Sequence, residues 1–372
     1  MRPIHFIVVL WGERYRTYFT DWCLPSLLAP KNIPNLDKGE HKLVIVCPDE
    51  DWEQIHAHPT MQYASTMIEP LHLSFPRPKA DLSPCLAMGP GHMLAANAAF
   101  EAKAYGVQLT PDCMLSDGLV DTIQREAQAG TQVLLILALR FSEESMLSAM
   151  AERNYYLKQQ QLAIPARDMA AIGMASLHSE TKTFEWGREK FAAFPSALWQ
   201  PVEDGMVCMS LSWAPFLFDY GSLAALDLHT LAHWTMDGDY VYRNFSQSSA
   251  IKHITDTDRG VVVSWTPTKP TDDPMTVNGY GVTDIQRTML RGAYHHGSFD
   301  PLKRKLFWEP VLYHPGPLTA NYHEKAEALK DEIGKILWFD WRQMAYVNDT
   351  GKVLMPLHEH EQTSDYEKMR RR

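Results

Sequence analysis

The chain has 372 residues, of which 45% are hydrophobic and 22% are charged, and its formal net charge at pH 7 is -10. That size and composition predict a packed core, arranged as one large α/β domain with additions or as two modest domains. The acidic balance argues against nucleic acid as a partner, because binding to a phosphate backbone requires a basic face. Residues 368–372 form a basic cluster, which predicts either a solvated tail or a weak peripheral association with an anionic membrane.

Cysteine usage and hydropathy predict a cytoplasmic protein. The five cysteines are widely spaced and include no CxxC pair, so we expect reduced, mostly buried thiols. The apolar run at 4–10 is too short for a signal peptide and lacks a small-residue cleavage site. No stretch approaches the roughly 18 apolar residues of a membrane-spanning helix, so we expect no transmembrane segment.

Continuous apolar runs at 5–10, 42–47 and 133–139 predict strands that are buried on both faces. Shorter strands are expected at 107–109 and 261–265. Helical patterns separate these runs, and strands that alternate with helices form right-handed βαβ units. We therefore predict an α/β fold in which 5–10, 42–47 and 133–139 are mainly parallel strands of one sheet flanked by helices.

The predicted helices and loops complete this outline. The Pro- and Gly-rich stretch at 74–90 predicts a loop, and the proline-rich stretch at 266–280 predicts a linker. The helical patterns lie at 15–28, 91–105, 119–129, 284–306 and 322–345.

Polar residues follow the predicted strands, where open parallel sheets bind ligands beyond the carboxyl ends. They are Trp11, Gly12 and Glu13 after the first strand, Asp49 after the second, Thr110 and Asp112 after the short strand, and Arg140 after 133–139. Acids, an arginine and an aromatic ring at one edge are groups that can hold a nucleotide and a divalent metal ion.

Gly89, Pro90 and Gly91 precede the predicted helix at 91–105, where free backbone N–H groups would receive a phosphate. The segment lacks the Gly-Lys-Ser/Thr of a P-loop, so a plain loop is the alternative. His92, at the expected start of this helix, is a candidate contact to the same phosphate.

The pattern over 4–145 resembles the nucleotide-binding half of GT-A glycosyltransferases. The resemblance rests on WGE at 11–13, CPDE at 47–50, the helix at 91–105 and LTPDC at 109–113. In that family an Asp-x-Asp motif holds a divalent metal, which grips the donor diphosphate. Here Thr110 stands in place of the first aspartate, so only Asp112 carries over.

The resemblance implies Mg²⁺ or Mn²⁺ as cofactor, with Asp112 as a metal ligand and Asp117 as a second acid. One protein carboxylate is compatible with Mg²⁺, because diphosphate and water can supply its other ligands. The alternative is an Asx-turn in which Asp117 caps a helix.

The segment 236–240 resembles the late acidic motif of GT-A enzymes, where a carboxylate near the acceptor acts as base. We predict Asp239 as that base, with Asp237 as the second candidate; a surface turn is the alternative. The implied division is a nucleotide-sugar-binding half at 1–145, an acceptor-side half at 146–265, and a linker with a helical C-terminal extension at 266–372.

The resemblance implies a glycosyltransferase of polysaccharide biosynthesis, which moves a sugar from a nucleotide-sugar donor to a glycan or lipid-linked glycan acceptor. Whether transfer inverts or retains the anomeric centre stays open. A nucleotidyltransferase is disfavoured, because it needs a glycine-rich basic loop where residues 11–14 stand. A degenerate GT-A-like binding or scaffolding protein is the third hypothesis, which the missing acid at Thr110 favours.

Overall fold

The computed structural model describes residues 1–79, 81–137, 139–188, 190–192, 195–211, 213–233, 235–245, 251–268, 276–278, 309–343, 346–347 and 353–354. Most of the predicted linker at 266–280, the helical pattern at 284–306 and the basic tail at 368–372 lie outside these residues. Within the described ranges, no helix combines the length and the apolar character needed to cross a bilayer.

The strands form one large sheet and several small ones. In chain order they are β1 (Ile4–Val9), β2 (Lys42–Cys47), β3 (Glu69–Ser74), β4 (Tyr105–Leu109), β5 (Cys113–Leu115), β6 (Val133–Ile136), β7 (Arg140–Ser142), β8 (Lys190–Ala192), β9 (Ala197–Val202), β10 (Gly205–Ser210), β11 (Ala214–Asp219), β12 (Ile251–Ile254), β13 (Val262–Thr266), β14 (Thr276–Asn278), β15 (Pro310–Tyr313), β16 (Tyr346–Val347) and β17 (Val353–Leu354).

The helices are α1 (Glu13–Tyr18), α2 (Leu24–Leu27), α3 (Asp49–Ala57), α4 (Pro59–Ala64), α5 (Pro84–Glu101), α6 (Leu119–Gln128), α7 (Glu143–Glu152), α8 (Ala166–Ala175), α9 (Ser179–Lys182), α10 (His229–His233), α11 (Gly238–Asn244) and α12 (Ala320–Gln343).

The large sheet has the strand order β12-β6-β11-β4-β1-β2-β3. β1 pairs in parallel with β2 and β4, and β2 pairs in parallel with β3. β11 runs antiparallel to both β4 and β6, so β6 has the same direction as β1. The predicted α/β fold class, a mainly parallel sheet flanked by helices, is confirmed. The three long apolar runs lie in this one sheet, although β4 and β11 stand between β1 and β6.

Alternating side chains of β1 and β2 divide the core into two layers. Ile7, Val9 and Val44 pack into one apolar cluster, whereas Phe6 and Ile45 pack into another. Because successive side chains of a strand point to opposite faces, the two clusters lie on opposite sides of the sheet. Continuous apolar runs, rather than alternating ones, are therefore what this sheet requires.

The first predicted helix, at 15–28, is interrupted by a wider turn. α1 continues through a π-helical segment, Phe19–Cys23, into α2. A π turn accommodates an extra residue within a helix and is frequent at functional sites. In this segment Trp22 lies against Trp265, with ring centroids 5.0 Å apart.

The prediction that Gly89–Gly91 opens a helix is wrong. α5 begins at Pro84, inside the stretch predicted as a loop, so Pro90 lies within the helix and the N–H groups around it are not at a helix start. Gly91 faces β1 closely, because a Cβ there would stand 2.5 Å from Val9 Cγ1. Glycine at position 91 therefore allows α5 to pack closely against β1.

Smaller sheets flank the large one. β13 pairs with β5 on one side and with β7 on the other, and β10 lies between β9 and β15. α12, which overlaps the predicted helix at 322–345, contributes Tyr322, Leu329 and Ile333 to an apolar cluster with the β9–β10–β15 sheet. The division into two halves at residue 145 stays a prediction; β11 and β12, which follow residue 145, complete the large sheet.

Candidate functional site

The carboxyl ends of β1, β2 and β4 lie at one edge of the large sheet, because these strands are parallel and in register. The residues predicted from the sequence to bind a ligand at this edge come directly after these strands in the chain. Trp11 is partly buried and its ring centroid lies 6.2 Å from that of Phe75. Glu13 and Asp49 are the exposed first residues of α1 and α3. This edge of the sheet is called the donor edge below.

A buried carboxylate, not predicted as a site residue, fixes the loop after β1. Asp51 is fully buried, and its Oδ2 accepts a hydrogen bond of 3.0 Å from the backbone N–H of Gly12. Its carboxylate also binds the guanidinium groups of Arg16 and Arg77. Gly12 has φ +83, a conformation that favours glycine. Asp51, just after β2, therefore fixes the loop that follows β1. In the sequence, Asp51 is only one of several acids in the first turn of a predicted helix.

Asp112 lies where the small sheet meets the donor edge. Its Oδ2 accepts a hydrogen bond of 3.3 Å from Ser264 Oγ, and its backbone carbonyl accepts one of 3.1 Å from the Trp265 N–H. Thr110, two residues earlier, is exposed. The carboxylate of Asp112 is partly exposed and remains accessible to a ligand at this edge.

Asp117 lies at the other end of β5. Its Oδ1 accepts a hydrogen bond of 2.8 Å from the backbone N–H of Lys31. Four residues of near-extended chain lie between Asp112 and Asp117, which places their Cα atoms roughly 15 Å apart. The structure therefore does not bring these two carboxylates to one metal ion.

Asp112 and Arg140 lie on opposite sides of β13. β13 pairs Ser264 with Cys113 on one side and with Arg140 on the other. The guanidinium of Arg140 is half exposed and is bound to Glu180 at 2.9 Å. An exposed ion pair of this kind contributes little to stability, so the guanidinium can exchange partners with an anionic ligand at small cost.

A polar and aromatic cluster that the sequence analysis missed lies beside Asp112. The Tyr18 hydroxyl donates to the Glu143 carboxylate and accepts a hydrogen bond of 2.9 Å from Arg14. Burial, reinforced by the hydrogen bond to Glu143, raises the pKa of Tyr18 to about 12, so this hydroxyl stays protonated and holds Glu143. The Tyr18 ring lies 5.9 Å from that of Trp265.

Glu143 and Asp112 lie at the same end of the small sheet. Asp112 directly precedes β5, which is antiparallel to β13, and Glu143 directly follows β7, which is parallel to β13. The sequence signal at Glu143 was an acidic first helical turn after Ser142, which indicates a helix start whether or not a ligand binds there. Only the pairing of β13 shows that the two carboxylates share an edge.

His92 lies inside α5 and not at a helix start. It is 5% exposed, and its Nδ1 has no hydrogen-bond partner among the described residues. Burial lowers the pKa of His92 to about 4, so the ring is neutral at pH 7. The role of His92 as a contact to the donor stays a prediction.

The predicted bases, Asp237 and Asp239, lie at the start of α11. Asp237 caps the helix by accepting hydrogen bonds from the Asp239 and Tyr240 N–H groups, at 2.9 and 3.4 Å. Asp239 accepts from Thr230 Oγ1 at 2.7 Å and from Arg243 Nε at 2.8 Å. Both carboxylates therefore stabilise the local fold.

Nearby contacts attach α11 to β4 of the large sheet. The Tyr240 hydroxyl lies 3.2 Å from that of Tyr220, whose ring covers Gly106. The Tyr220 hydroxyl also accepts a hydrogen bond of 3.5 Å from Gln108 Nε2. The role of Asp237 and Asp239 as bases stays a prediction.

One further group of metal-ligand side chains is found among the described residues. Ligand atoms of Asp256, Asp258 and His314 all lie within 4.8 Å of one another. The sequence analysis did not select these residues, because 56 residues of chain separate Asp258 from His314.

Comparison with known proteins gives distant structural likenesses. No protein-family model and no curated protein matches the chain. Two structures of S. aureus TarS align over 47% of this chain, at 11% and 12% identity and a TM-score of 0.26 in both cases; the aligned parts cover 56% and 34% of the TarS chains. A Bacillus anthracis protein described as a glucose-1-phosphate thymidylyltransferase, in complex with a sucrose, aligns over 81% of this chain and 99% of that chain, at 10% identity and a TM-score of 0.31. At these values the matches carry no argument about function.

Replacing Asp51 with Asn should lower the free energy of unfolding by about 3 kcal/mol, because two guanidinium groups lose a buried carboxylate partner. Glu50→Gln is the matched control: Glu50 binds the same Arg77 at 3.0 Å but is exposed, so its loss should cost under about 1 kcal/mol. Urea denaturation followed by circular dichroism measures both. Equal effects of the two substitutions would contradict the role of Asp51.

The His92→Gln variant should lose less stability than the wild type on acidification. The folded-state pKa of His92 is lowered from 6.5 to about 4, so the unfolded chain binds the extra proton as the pH falls below 6.5. That linkage should cost the wild type about 2 kcal/mol between pH 7 and pH 5. Denaturation at both pH values, with the exposed His56→Gln as control, tests it; an unchanged pH dependence in His92→Gln would show that His92 does not carry the effect.

Proposed function

We propose that this chain is a glycosyltransferase that moves a sugar from a nucleotide-sugar donor, bound at the donor edge, to a glycan or lipid-linked glycan acceptor. The observation that carries the proposal is the position of Asp112. It provides an accessible carboxylate just beyond the carboxyl end of β4, at the same edge as the loop after β1. Ligands of open, mainly parallel sheets bind at this edge.

The donor-binding roles follow from this placement. The Trp11–Glu13 loop, fixed by Asp51, and Asp49 lie where the nucleoside would bind. Asp112 would hold Mg²⁺ or Mn²⁺, while diphosphate oxygens and water complete the coordination. Arg140, across one strand, would stabilise the negative charge that develops on the departing diphosphate.

The transfer also requires a group that accepts the proton of the acceptor hydroxyl if it inverts the anomeric centre. Asp239 and Asp237 are the candidates from the sequence. Glu143 is a third candidate, which its position at the same end of the small sheet as Asp112 supports. Its hydrogen bond from Tyr18 would keep the carboxylate oriented toward the edge.

Asp112→Asn should weaken metal-dependent binding of a nucleoside diphosphate by about thirtyfold, because one charged metal contact of about 2 kcal/mol is lost. Asp117→Asn is the matched control and should bind normally. Titration calorimetry with a panel of nucleoside diphosphates, with and without Mn²⁺, measures the difference. An Asp112→Asn protein that is folded and binds as tightly as the wild type would exclude Asp112 as the metal ligand.

Substitution of the true base should lower the transfer rate by about 10²–10⁴ and leave donor affinity nearly unchanged, because the base acts on the acceptor. The variants are Asp237→Asn, Asp239→Asn and Glu143→Gln, with Glu144→Gln as an exposed neighbour for control. Donor binding and sugar transfer are measured separately. Wild-type transfer in all three would reject an inverting base among them, and a protein that binds donor without any transfer would favour the scaffolding hypothesis.

A further inference from the structure

The group formed by Asp256, Asp258 and His314 joins two distant parts of the chain. The two aspartates flank Thr257 in a short turn after β12, and His314 follows β15. The His314 side chain is fully buried, whereas Asp256 and Asp258 are 27% and 48% exposed. His314 Nε2 lies 3.0 Å from Asp256 Oδ1.

The hydrogen bonds of the His314 ring fix which nitrogen faces the two carboxylates. Its Nδ1 lies 2.6 Å from the carbonyl oxygen of Gly316, which can only accept, so Nδ1 donates to it. The other ring nitrogen, Nε2, faces the Asp256 carboxylate, with the Asp258 carboxylate also within reach. One nitrogen and two carboxylate oxygens therefore lie close enough together to share one cation.

Contacts outside the group hold these ligand atoms in place. The His314 N–H donates to Thr257 Oγ1 at 2.9 Å. Arg167 binds both oxygens of Asp258, at 2.6 and 2.8 Å, and Asp256 caps the turn by accepting from the Asp258 N–H. Orientation of a histidine by a hydrogen bond from its second ring nitrogen to a carbonyl oxygen is the usual arrangement around a protein-bound metal.

We propose that Asp256, Asp258 and His314 bind one divalent transition-metal ion, of the Zn²⁺ or Mn²⁺ class. An imidazole nitrogen with two carboxylates suits these ions, whereas Mg²⁺ and Ca²⁺ prefer oxygen ligands throughout. The partial exposure of both carboxylates leaves room for water at the remaining coordination positions. The ion would join the turn after β12 to the segment after β15.

This site is separate from the proposed donor site and does not depend on the transferase activity. β12 is the edge strand of the large sheet, and β4, which precedes Asp112, lies three strands away, which is about 14 Å at 4.8 Å per strand. The carboxyl ends of β12 and β4 lie at the same end of the sheet, so the two sites are separated by this distance across the strands. Asp256 also lines a cleft of about 270 Å³ with Glu309 and with residues of α12, including His323 and Lys330. The ion is therefore reachable from solvent through this cleft.

The test is direct metal titration of the full chain after removal of metal with EDTA, in the absence of nucleotide. Calorimetry with Zn²⁺ and with Mn²⁺ should give one saturable site, and binding should raise Tm. Asp256→Asn should weaken it by about 100-fold, since asparagine preserves the cap of the turn but ligates metal poorly. Asp258→Asn should also weaken it, and Asp112→Asn should not.

The two metal proposals fail separately. Asp112→Asn should lose metal-dependent nucleotide binding and keep the metal site at Asp256, Asp258 and His314. Asp256→Asn should lose that metal site and keep nucleotide binding. A metal-free protein with no saturable site for either ion, or equal affinity in wild type, Asp256→Asn and Asp258→Asn, would overturn the proposal.

Nitrogen-15 NMR of labelled histidine distinguishes a metal from a second proton. Addition of Zn²⁺ to the metal-free protein should shift the Nε2 resonance of His314. A His314 ring that is protonated on both nitrogens and unchanged by Zn²⁺ would show an imidazolium–carboxylate pair instead, and the metal site would be rejected.

Discussion

Parallel pairing of β1 with β2 and β4 is the constraint on which the rest of this structure depends. Parallel strands bury both faces and end at one edge, so each needs a crossover helix and each delivers its following loop to the same place. Every residue of β1, and every residue of β2 except Lys42, is buried, so this requirement is met. The loop after β1 and the turn around Asp112 meet because their strands are in register.

β13 determines which side chains the donor edge presents. It lies outside the large sheet, yet it pairs with β5 and β7 and so places Asp112, Arg140 and Glu143 around one short strand. The indole of Trp265, fully buried in this strand, packs against the rings of Tyr18 and Trp22. Packing of α1 and its π segment is thereby coupled to the position of the Asp112 carbonyl, which accepts from the Trp265 N–H.

The sequence predicts β1, β2 and β6 because two-sided burial leaves a local sign, a continuous run of apolar residues. It predicts β4 as a brief strand, and it does not predict β3, β11 or β12. It also predicts the residues at the donor edge, since these follow the strands directly. Three features have no local sign. The start of α5 at Pro84 was not predicted, because the Pro and Gly residues around it indicate a loop. Only the packing of Gly91 against Val9 explains why glycine lies inside this helix. The sharing of an edge by Glu143 and Asp112 depends on pairing with β13, more than 100 residues later. The Asp256–His314 contact depends on the backbone bridge between Asp256 and Leu312, which are far apart in the chain.

The π segment at Phe19–Cys23 has a consequence for how this protein can change in length. Removal of one residue there would restore an ordinary α-helix, but every side chain beyond the deletion would rotate by about 100° about the helix axis. Cys23, Leu24 and Leu27 would leave the apolar layer that they now fill. A regular helix and the present core are therefore mutually exclusive in this chain. Insertions and deletions should be tolerated at the exposed residues 38–40 before β2 rather than in the wide turn itself.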